Sequence, residues 1–301
     1  SRGGMTSHAA LVARGWGKCC IVGAGDIEVD EEHRLFRAGD SVYREGDWVT
    51  LNGTKGVVYE GQLPLVDPGE DNPAFTAFMK ICDKVRQLKV RANADTPADA
   101  SKAMQFGAEG IGLFRIEHMF YGEGSDEPLF LLRKMIMSTT EEERREALAE
   151  LFPFVKHDIK STLEVMGGNP VTIRLLDPPL HEFVPNAPEA QERLAKSLKV
   201  DLEELQKRAE GLHENNPMMG HRGVRLGVTY PEVSEMQIRA ILESTAELLK
   251  DKKKAFPEIM IPVVSMVSEL EDQLQIAQKV YEETRKKFGM RSIPHMFGTM
   301  I

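Results

Sequence analysis

Hydrophobic and polar positions follow two different rhythms along the chain of 301 residues. Before residue 63, short apolar segments bounded by glycine predict β-strands joined by tight turns, preceded by one short helix that ends at Gly15. The predicted strands are CCIVG, RLFRAGD, WVTLNG and GVVYEGQ, with Cys19 and Cys20 at the buried start of the first. The Pro- and Gly-rich residues 63–73 are predicted to form a linker.

From residue 74 the pattern changes to helices separated by short apolar runs. Helices are predicted over FTAFMKICDKVRQ, TPADASKAMQFGA with Thr96 as its N-cap, EEERREALAELFPFVKHDIKSTLEVM, residues 186–215 and SELEDQLQIAQKVYEETRKKFG. About six strands lie between them: LKVRANAD, EGIGLFR, PVTIRLLD, GVRLGV, EIMIPVVS and HMFGTMI. This alternation predicts a parallel α/β sheet, which could be open and doubly wound or part of a (β/α) barrel.

Size and composition predict an ordinary globular protein of two domains, at roughly 100–200 residues per domain. The formal net charge of −9 argues against a broad nucleic-acid surface but leaves room for a small anion held by a few arginines. Three cysteines, Cys19, Cys20 and Cys82, make no disulfide framework and favour a reducing compartment. No apolar run has the ~18–20 residues that span a bilayer, and no signal peptide is visible in the first residues given. Its abrupt ends suggest part of a longer protein.

The first candidate for chemistry is His8, in the segment GGMTSHAALVAR. If Thr6 or Ser7 caps the predicted helix, His8 lies in the first turn, where free N–H groups and the helix dipole favour an anion. A neutral imidazole is nucleophilic near pH 7, so His8 could accept a phosphoryl group. The alternative is an exposed histidine with no chemical role. A metal site is not expected, because no second ligand lies nearby at a suitable spacing.

Three arginines stand at or near the ends of predicted strands: Arg115, Arg174 and Arg222. In a (β/α) barrel the active site lies at the carboxyl ends of the strands, and guanidinium groups bind phosphate and carboxylate bidentately. If these arginines converge, they form an anion clamp. The alternative for each is a surface arginine in an ion pair.

The segment GGMTSHAALVAR resembles the phosphohistidine signature of the phosphoenolpyruvate (PEP)-utilising enzymes, which include dikinases, PEP synthases and enzyme I of the sugar phosphotransferase system. Its extension, ARGWGKCC, is similar to the dikinase branch. The PEP-binding domain of that branch is similar to GAEGIGLFRIEHMF, TIRLLDPPLHEFVP and NPMMGHRGVRLGVTYPE. One departure is Ile116, where the family commonly has threonine. The resemblance covers nearly the whole chain.

The resemblance implies an α/β fold of two domains: a small swivelling phosphohistidine domain over residues 1–65, and an incomplete (β/α)8 barrel of the TIM type over residues 66–301. It implies a reversible reaction that converts ATP, phosphate and pyruvate into AMP, diphosphate and PEP. His8 would carry the phosphoryl group, while Arg115, Arg174 and Arg222 bind PEP, with Arg225 as an alternative to the last. Thr6 is implied as a regulatory phosphorylation site.

The resemblance also implies partners that residues 1–301 do not hold. Mg²⁺ ligands are expected just beyond Ile301, with none within the chain, and ATP and phosphate would bind to a preceding domain. A homodimer is expected, in the cytoplasm, a plastid or a microbody, without nucleic acid or membrane. The chain by itself is expected to be inactive. PEP synthase, enzyme I and a non-catalytic phosphohistidine carrier stay open as alternatives.

Overall fold

In the computed structural model the chain forms two compact units, residues 1–86 and 87–301. The structure describes residues 3–15, 18–65, 73–122, 124–185, 187–213, 216 and 219–301. Most of the predicted linker, residues 66–72, lies outside these ranges. The predicted domain boundary after residue 65 therefore stays a prediction.

The first unit consists of short elements with few buried side chains. They are α1 (His8–Gly15), β1 (Ile27–Asp30), β2 (Leu35–Ala38), β3 (Ser41–Arg44), β4 (Val49–Asn52), β5 (Val57–Glu60) and α2 (Pro73–Val85). Strands β1, β2 and β3 form one antiparallel sheet, and β4 pairs with β5 in another.

The first predicted strand of this unit, CCIVG, is wrong. Residues 19–23 form no strand, and Cys19 and Cys20 are exposed. The Cys19 thiol lies 3.7 Å from the Leu51 carbonyl oxygen, so this segment runs beside β4 without pairing with it in a ladder. A short apolar run cannot by itself distinguish such an extended loop from a strand. The helix that ends at Gly15 and the strands at RLFRAGD, WVTLNG and GVVYEGQ are confirmed.

The second unit alternates strands and helices, as predicted. Its elements are β6 (Ala92–Asn93), α3 (Pro97–Gln105), β7 (Ile111–Arg115), α4 (Asp126–Met137), α5 (Glu141–Met166), β8 (Pro170–Arg174), α6 (Pro188–Leu198), α7 (Leu202–Gly211), α8 (Val224–Thr229), α9 (Pro231–Lys250), β9 (Phe256–Ile261), α10 (Val267–Phe288) and β10 (Met296–Thr299). Two 3₁₀ helices, Ile116–Phe120 and Leu180–Phe183, follow β7 and β8.

The five described strands of this unit form one parallel sheet in the order β6-β7-β8-β9-β10. Because each strand lies beside its predecessor, the sheet is wound in one direction, as a barrel is, whereas a doubly wound sheet reverses its order. Closure into a TIM-type barrel stays a prediction. None of the described helices is long and apolar enough to cross a membrane.

Alternation along the strands gives the sheet an apolar face and a polar face. Val171 and Ile173 of β8 are buried in the hydrophobic core, which also contains residues of α5 and α9. Thr172 and Arg174 point to the opposite face, because successive side chains of a strand alternate. The polar face therefore carries the candidate functional residues, and the core beneath it holds them in place.

Two elements between residues 223 and 250 differ from the prediction. The predicted strand GVRLGV is wrong, because Val224–Thr229 forms α8. Buried Val224 and Leu226 imitate the alternation of a strand over six residues, a length at which helix and strand are ambiguous. Helix α9 is also missing from the sequence-based prediction, although proline at its first position and apolar residues at helical spacing are ordinary signals of a helix.

Close packing of β7 against β8 depends on Gly110. A Cβ atom at this position would lie 2.8 Å from the carbonyl oxygen of Pro170, which begins β8. We expect Gly110→Ala to push the strands apart, to cost about 1–3 kcal/mol in the free energy of unfolding and to lower the Tm. Gly298→Ala in β10 is the control, because nothing lies within 4 Å of a Cβ there. Equal Tm values for the two variants would contradict this prediction.

Asp158 in α5 predicts a dependence of stability on pH. Burial raises its pKa to about 6, with a small opposing effect from His157. The folded state therefore binds the proton more tightly than the unfolded state, and stability falls as pH rises from about 4 to 6. We expect Asp158→Asn to raise the Tm at pH 7 and to change it less at pH 4. Glu146→Gln, at an exposed position of α5, is the control; a Tm of Asp158→Asn at or below wild type at pH 7 would refute the prediction.

Candidate functional site

The first candidate group is the exposed ring of His8, the first residue of α1. Ser7 caps this helix, since its Oγ accepts from the backbone N–H of Ala10 (3.4 Å) and its carbonyl oxygen accepts from that of Leu11 (3.1 Å). Of the two predicted caps, the structure selects Ser7, and Thr6 is exposed in the preceding turn. The Ser7 side chain satisfies one N–H group of the first turn, while the helix dipole still favours negative charge beside His8.

The turn before α1 has the backbone conformation that its glycines allow. Gly3 has φ +91°, and a Cβ atom there would lie 3.3 Å from the Ser7 side chain. The Ser7 N–H donates to the Gly4 carbonyl oxygen (2.9 Å), which completes the turn. The turn holds the capping residue while the His8 ring stays open to solvent. An imidazole in this setting can act as a nucleophile.

In the second unit, the predicted arginines meet at the carboxyl ends of the strands. Arg115 ends β7, Arg174 ends β8, and the two are direct partners in the parallel register. Two neighbouring guanidinium groups repel each other unless carboxylates or a bound anion compensate them. The structure supplies carboxylates from the loops that follow the strands.

Asp95 compensates Arg115. Its Oδ1 accepts from the backbone N–H and from Nε of Arg115, each at 3.1 Å, and its Oδ2 accepts from Nη2 at 2.5 Å. His118 Nδ1 lies 3.3 Å from the same Oδ2. The hydrogen bonds to Asp95 raise the pKa of Arg115 further above its usual range, so this arginine is a permanent cation.

Arg174 lies between two buried acids. Its Nη2 donates to Glu117 Oε1, and its Nη1 lies 2.9 Å from Asp177 Oδ2. Asp177 also binds Arg222, whose Nη2 donates to Oδ2 at 2.8 Å and whose Nε donates to the Asp177 carbonyl oxygen at 3.0 Å. Asp177 thus joins the two arginines through a single carboxylate oxygen. We call Arg115, Arg174, Arg222, Asp95, Glu117 and Asp177 the arginine cluster.

A loop that requires glycine at position 223 brings Arg222 into this cluster. Gly223 has φ +57°, and a Cβ atom there would lie 3.0 Å from the Pro262 carbonyl oxygen. The N–H of Val224 donates to that same oxygen (2.9 Å), which ties the loop to the end of β9. Arg225, the alternative candidate, donates instead to the Gly220 carbonyl oxygen (2.5 Å). The structure therefore favours Arg222 for the cluster.

Sequence reasoning missed the acids of the cluster, although the rule that found the arginines could have found them. Asp95, Glu117 and Asp177 all follow strands at the same edge of the sheet. A contact from α9 was beyond such a rule: Gln237 Oε1 accepts from the backbone N–H of Leu176 (2.7 Å) and anchors the loop that carries Asp177. Ile116, the departure from the family pattern, is buried in the core.

The described residues do not fit a metal ion. No group of three or more His, Cys, Asp or Glu side chains among them is placed to hold one. The acids of the arginine cluster are directed at guanidinium groups instead. The arrangement therefore favours an anion with more than one charged group, which could take over guanidinium donors from the acids.

Comparison with known families matches both units. The family described as "PEP-utilising enzyme, PEP-binding domain" matches residues 70–301, and "PEP-utilising enzyme, mobile domain" matches residues 1–56. Similar curated proteins include the pyruvate, phosphate dikinase of Clostridium symbiosum, 46% identical over 301 residues, and the chloroplastic one of Flaveria trinervia, 46% identical over 305 residues. That of Giardia intestinalis is 44% identical over 301 residues. Each alignment covers 100% of this chain, but 34%, 31% and 34% of these relatives. The chain thus spans about a third of their length.

The shared counter-ion Asp177 generates a prediction about stability. Asp177→Ala would leave Arg174 and Arg222 without their common carboxylate, which is 2% exposed. We expect a loss of about 3–5 kcal/mol in the free energy of unfolding, which added sulfate should partly restore by replacing the carboxylate. The measurement is the Tm with and without sulfate, relative to wild type under the same conditions.

The matched control is Glu204→Ala, which removes the partner of Arg208 from an exposed pair on α7. An exposed pair contributes about 0–1 kcal/mol, so little change and no specific rescue are expected. A wild-type Tm for Asp177→Ala, or equal sulfate effects on both variants, would contradict the prediction.

Proposed function

Since the chain belongs to the family of PEP-utilising enzymes, we propose that it carries the phosphoryl-accepting histidine and the PEP-binding arginines of a pyruvate, phosphate dikinase. The reaction would be ATP + phosphate + pyruvate ⇌ AMP + diphosphate + PEP. The names of the similar curated proteins support this choice over PEP synthase or enzyme I. ATP and phosphate binding is assigned to the part of the relatives' length that this chain does not match.

The observation that carries the proposal is the register pairing of Arg115 with Arg174, with Arg222 joined to them through Asp177. PEP has a phosphate group and a carboxylate as substituents of the same carbon atom, and a guanidinium can bind either group through two N–H donors. Neighbouring arginines at the carboxyl ends of β7 and β8 supply two such forks side by side.

In the proposed step a ring nitrogen of His8 attacks the phosphorus of PEP. An N–P bond forms while the bond from phosphorus to the enol oxygen breaks, and the electron pair stays on the enolate, which takes a proton to become pyruvate. The arginines stabilise charge on the phosphoryl oxygens and the enolate. The positive end of α1 favours the phosphoryl group on His8.

Several parts of the proposal depend on the family resemblance alone. The first unit would move as a carrier between the nucleotide site and the arginine cluster, and phosphorylation of the exposed Thr6 would repel an incoming phosphate from His8. A homodimer in the cytoplasm is proposed on the same basis, with a plastid or a microbody as alternatives. Mg²⁺ ligands just beyond Ile301 are likewise proposed from the resemblance, and no step here is derived through the ion.

The test of this function is covalent labelling of His8. We expect the full-length protein, incubated with ³²P-labelled PEP and Mg²⁺, to form acid-labile and base-stable label, and His8→Asn to form none. His33→Asn is the control, because His33 is an exposed histidine of the same unit, held by Asp30. Equal label on His8→Asn and wild type would exclude His8 as the carrier.

The requirement for phosphate together with ATP distinguishes a dikinase from PEP synthase and enzyme I. A dikinase needs inorganic phosphate together with ATP, so ATP-dependent labelling should require phosphate. Labelling by ATP without phosphate would indicate a PEP synthase. Transfer of the label to a small carrier protein would indicate enzyme I, and no labelling by PEP or ATP would leave only a non-catalytic role.

A further inference from the structure

Glu117 is a buried acid to which the proposed reaction gives no chemical role. It is 3% exposed and lies in the 3₁₀ helix Ile116–Phe120, two residues after Arg115. Its Oε1 accepts a hydrogen bond from Arg174 Nη2. Its Oε2 is also buried but has no hydrogen-bond partner within the described part of the chain.

Stability does not explain a glutamate at this position. A buried carboxylate with one unsatisfied oxygen costs free energy, and replacing a buried ion pair with apolar side chains is often neutral or stabilising. Burial raises the pKa of Glu117, although the charge of Arg174 opposes that rise. The unsatisfied Oε2 is a cost that a purely structural side chain would avoid, so the contact with Arg174 is the better explanation for this glutamate.

The geometry around Arg174 identifies that role. Glu117 holds Nη2, and Asp177 lies at Nη1, so both terminal nitrogens of the guanidinium are fixed and its plane is set. These contacts need only two of the five N–H donors of an arginine. The second N–H group on each terminal nitrogen can serve a ligand without a change in side-chain orientation, whereas Nε is buried and has no partner among the described residues.

Glu117 also connects the two strands that carry the arginines. Its 3₁₀ helix is anchored in the core by Ile116 and Phe120 and begins directly at the end of β7. The hydrogen bond to Arg174 therefore ties the loop after β7 to the end of β8. The spacing between Arg115 and Arg174 then depends on Glu117 as well as on the register of the strands.

We propose that Glu117 is a positioning residue, which orients the guanidinium of Arg174 for an anionic ligand bound beside Arg115. This inference rests on the proposed function, because it takes PEP as that ligand. A positioning role depends on an acceptor oxygen at the correct reach more than on negative charge. Gln at this position should therefore replace Glu better than the shorter Asp does.

The experiment compares Glu117→Ala, Glu117→Gln and Glu117→Asp with wild type in the full-length enzyme. The measurements are kcat and KM for PEP, isotope exchange in the nucleotide half-reaction, and Tm. We expect Glu117→Ala to raise the KM for PEP on the order of 10- to 100-fold, because a displaced guanidinium binds the ligand poorly. Glu117→Gln should recover most of that loss, and Glu117→Asp should not. The nucleotide half-reaction should keep its wild-type rate in all three.

The matched control is Glu182→Gln, in the exposed position of the 3₁₀ helix after β8, which should behave as wild type. A wild-type KM for Glu117→Ala overturns the proposal, and so does a Gln variant as impaired as the Ala variant. If the Ala and Gln variants both lose Tm and nucleotide half-reaction activity in parallel, Glu117 has a role in folding only, and the proposal is overturned as well. If wild type gains no phosphoryl group from PEP, the proposed function itself fails, which the wild-type reaction reveals before any variant is compared.

Discussion

Three guanidinium groups and three carboxylates lie together at the carboxyl ends of a parallel sheet. Their opposite charges neutralise one another, and the strands and loops of the second unit hold them in position. Arg115 and Arg174 are direct register partners, so their charges would repel if the loops supplied no acids. Asp95, Glu117 and Asp177 supply them from the segments after β6, β7 and β8. The charges balance within the cluster, which lets arginines lie partly buried at a place where a ligand can still reach them.

Several contacts of the scaffold hold this cluster in a fixed geometry, although buried ion pairs add little to the stability of the fold. Buried ion pairs are weak contributors to folding, because desolvation offsets much of their attraction. The cluster nevertheless has dedicated supports: Gln237 of α9 anchors the loop of Asp177, and the left-handed Gly223 allows Arg222 to approach. An anion that takes over some of these N–H donors would meet groups already oriented for it, which lowers the cost of ordering them on binding.

The histidine in the first unit depends on a different kind of constraint. Its position comes from local structure: a glycine turn, the Ser7 cap and the first turn of α1. These features need no distant partner, and they leave the ring exposed. A side chain held by local geometry can keep its position in a unit with a small core, whereas a cluster of charges from distant segments needs a larger one.

The local elements were predictable from the sequence, because caps, glycine turns and apolar periodicity act over a few residues. These sequence signals predicted α1, the alternation of strands and helices, and the positions of Arg115 and Arg174 at strand ends. The same signals were wrong at Cys19 and at Val224–Thr229, because short segments carry no clear period, and the helical pattern of α9 was missed. Only the tertiary structure decided that Arg222 rather than Arg225 joins the cluster and which acids hold the arginines. Apart from Arg174 with Asp177, which are three positions apart, those contacts join residues 20 to 57 positions apart, and only the register of the strands and the packing of the core bring them together.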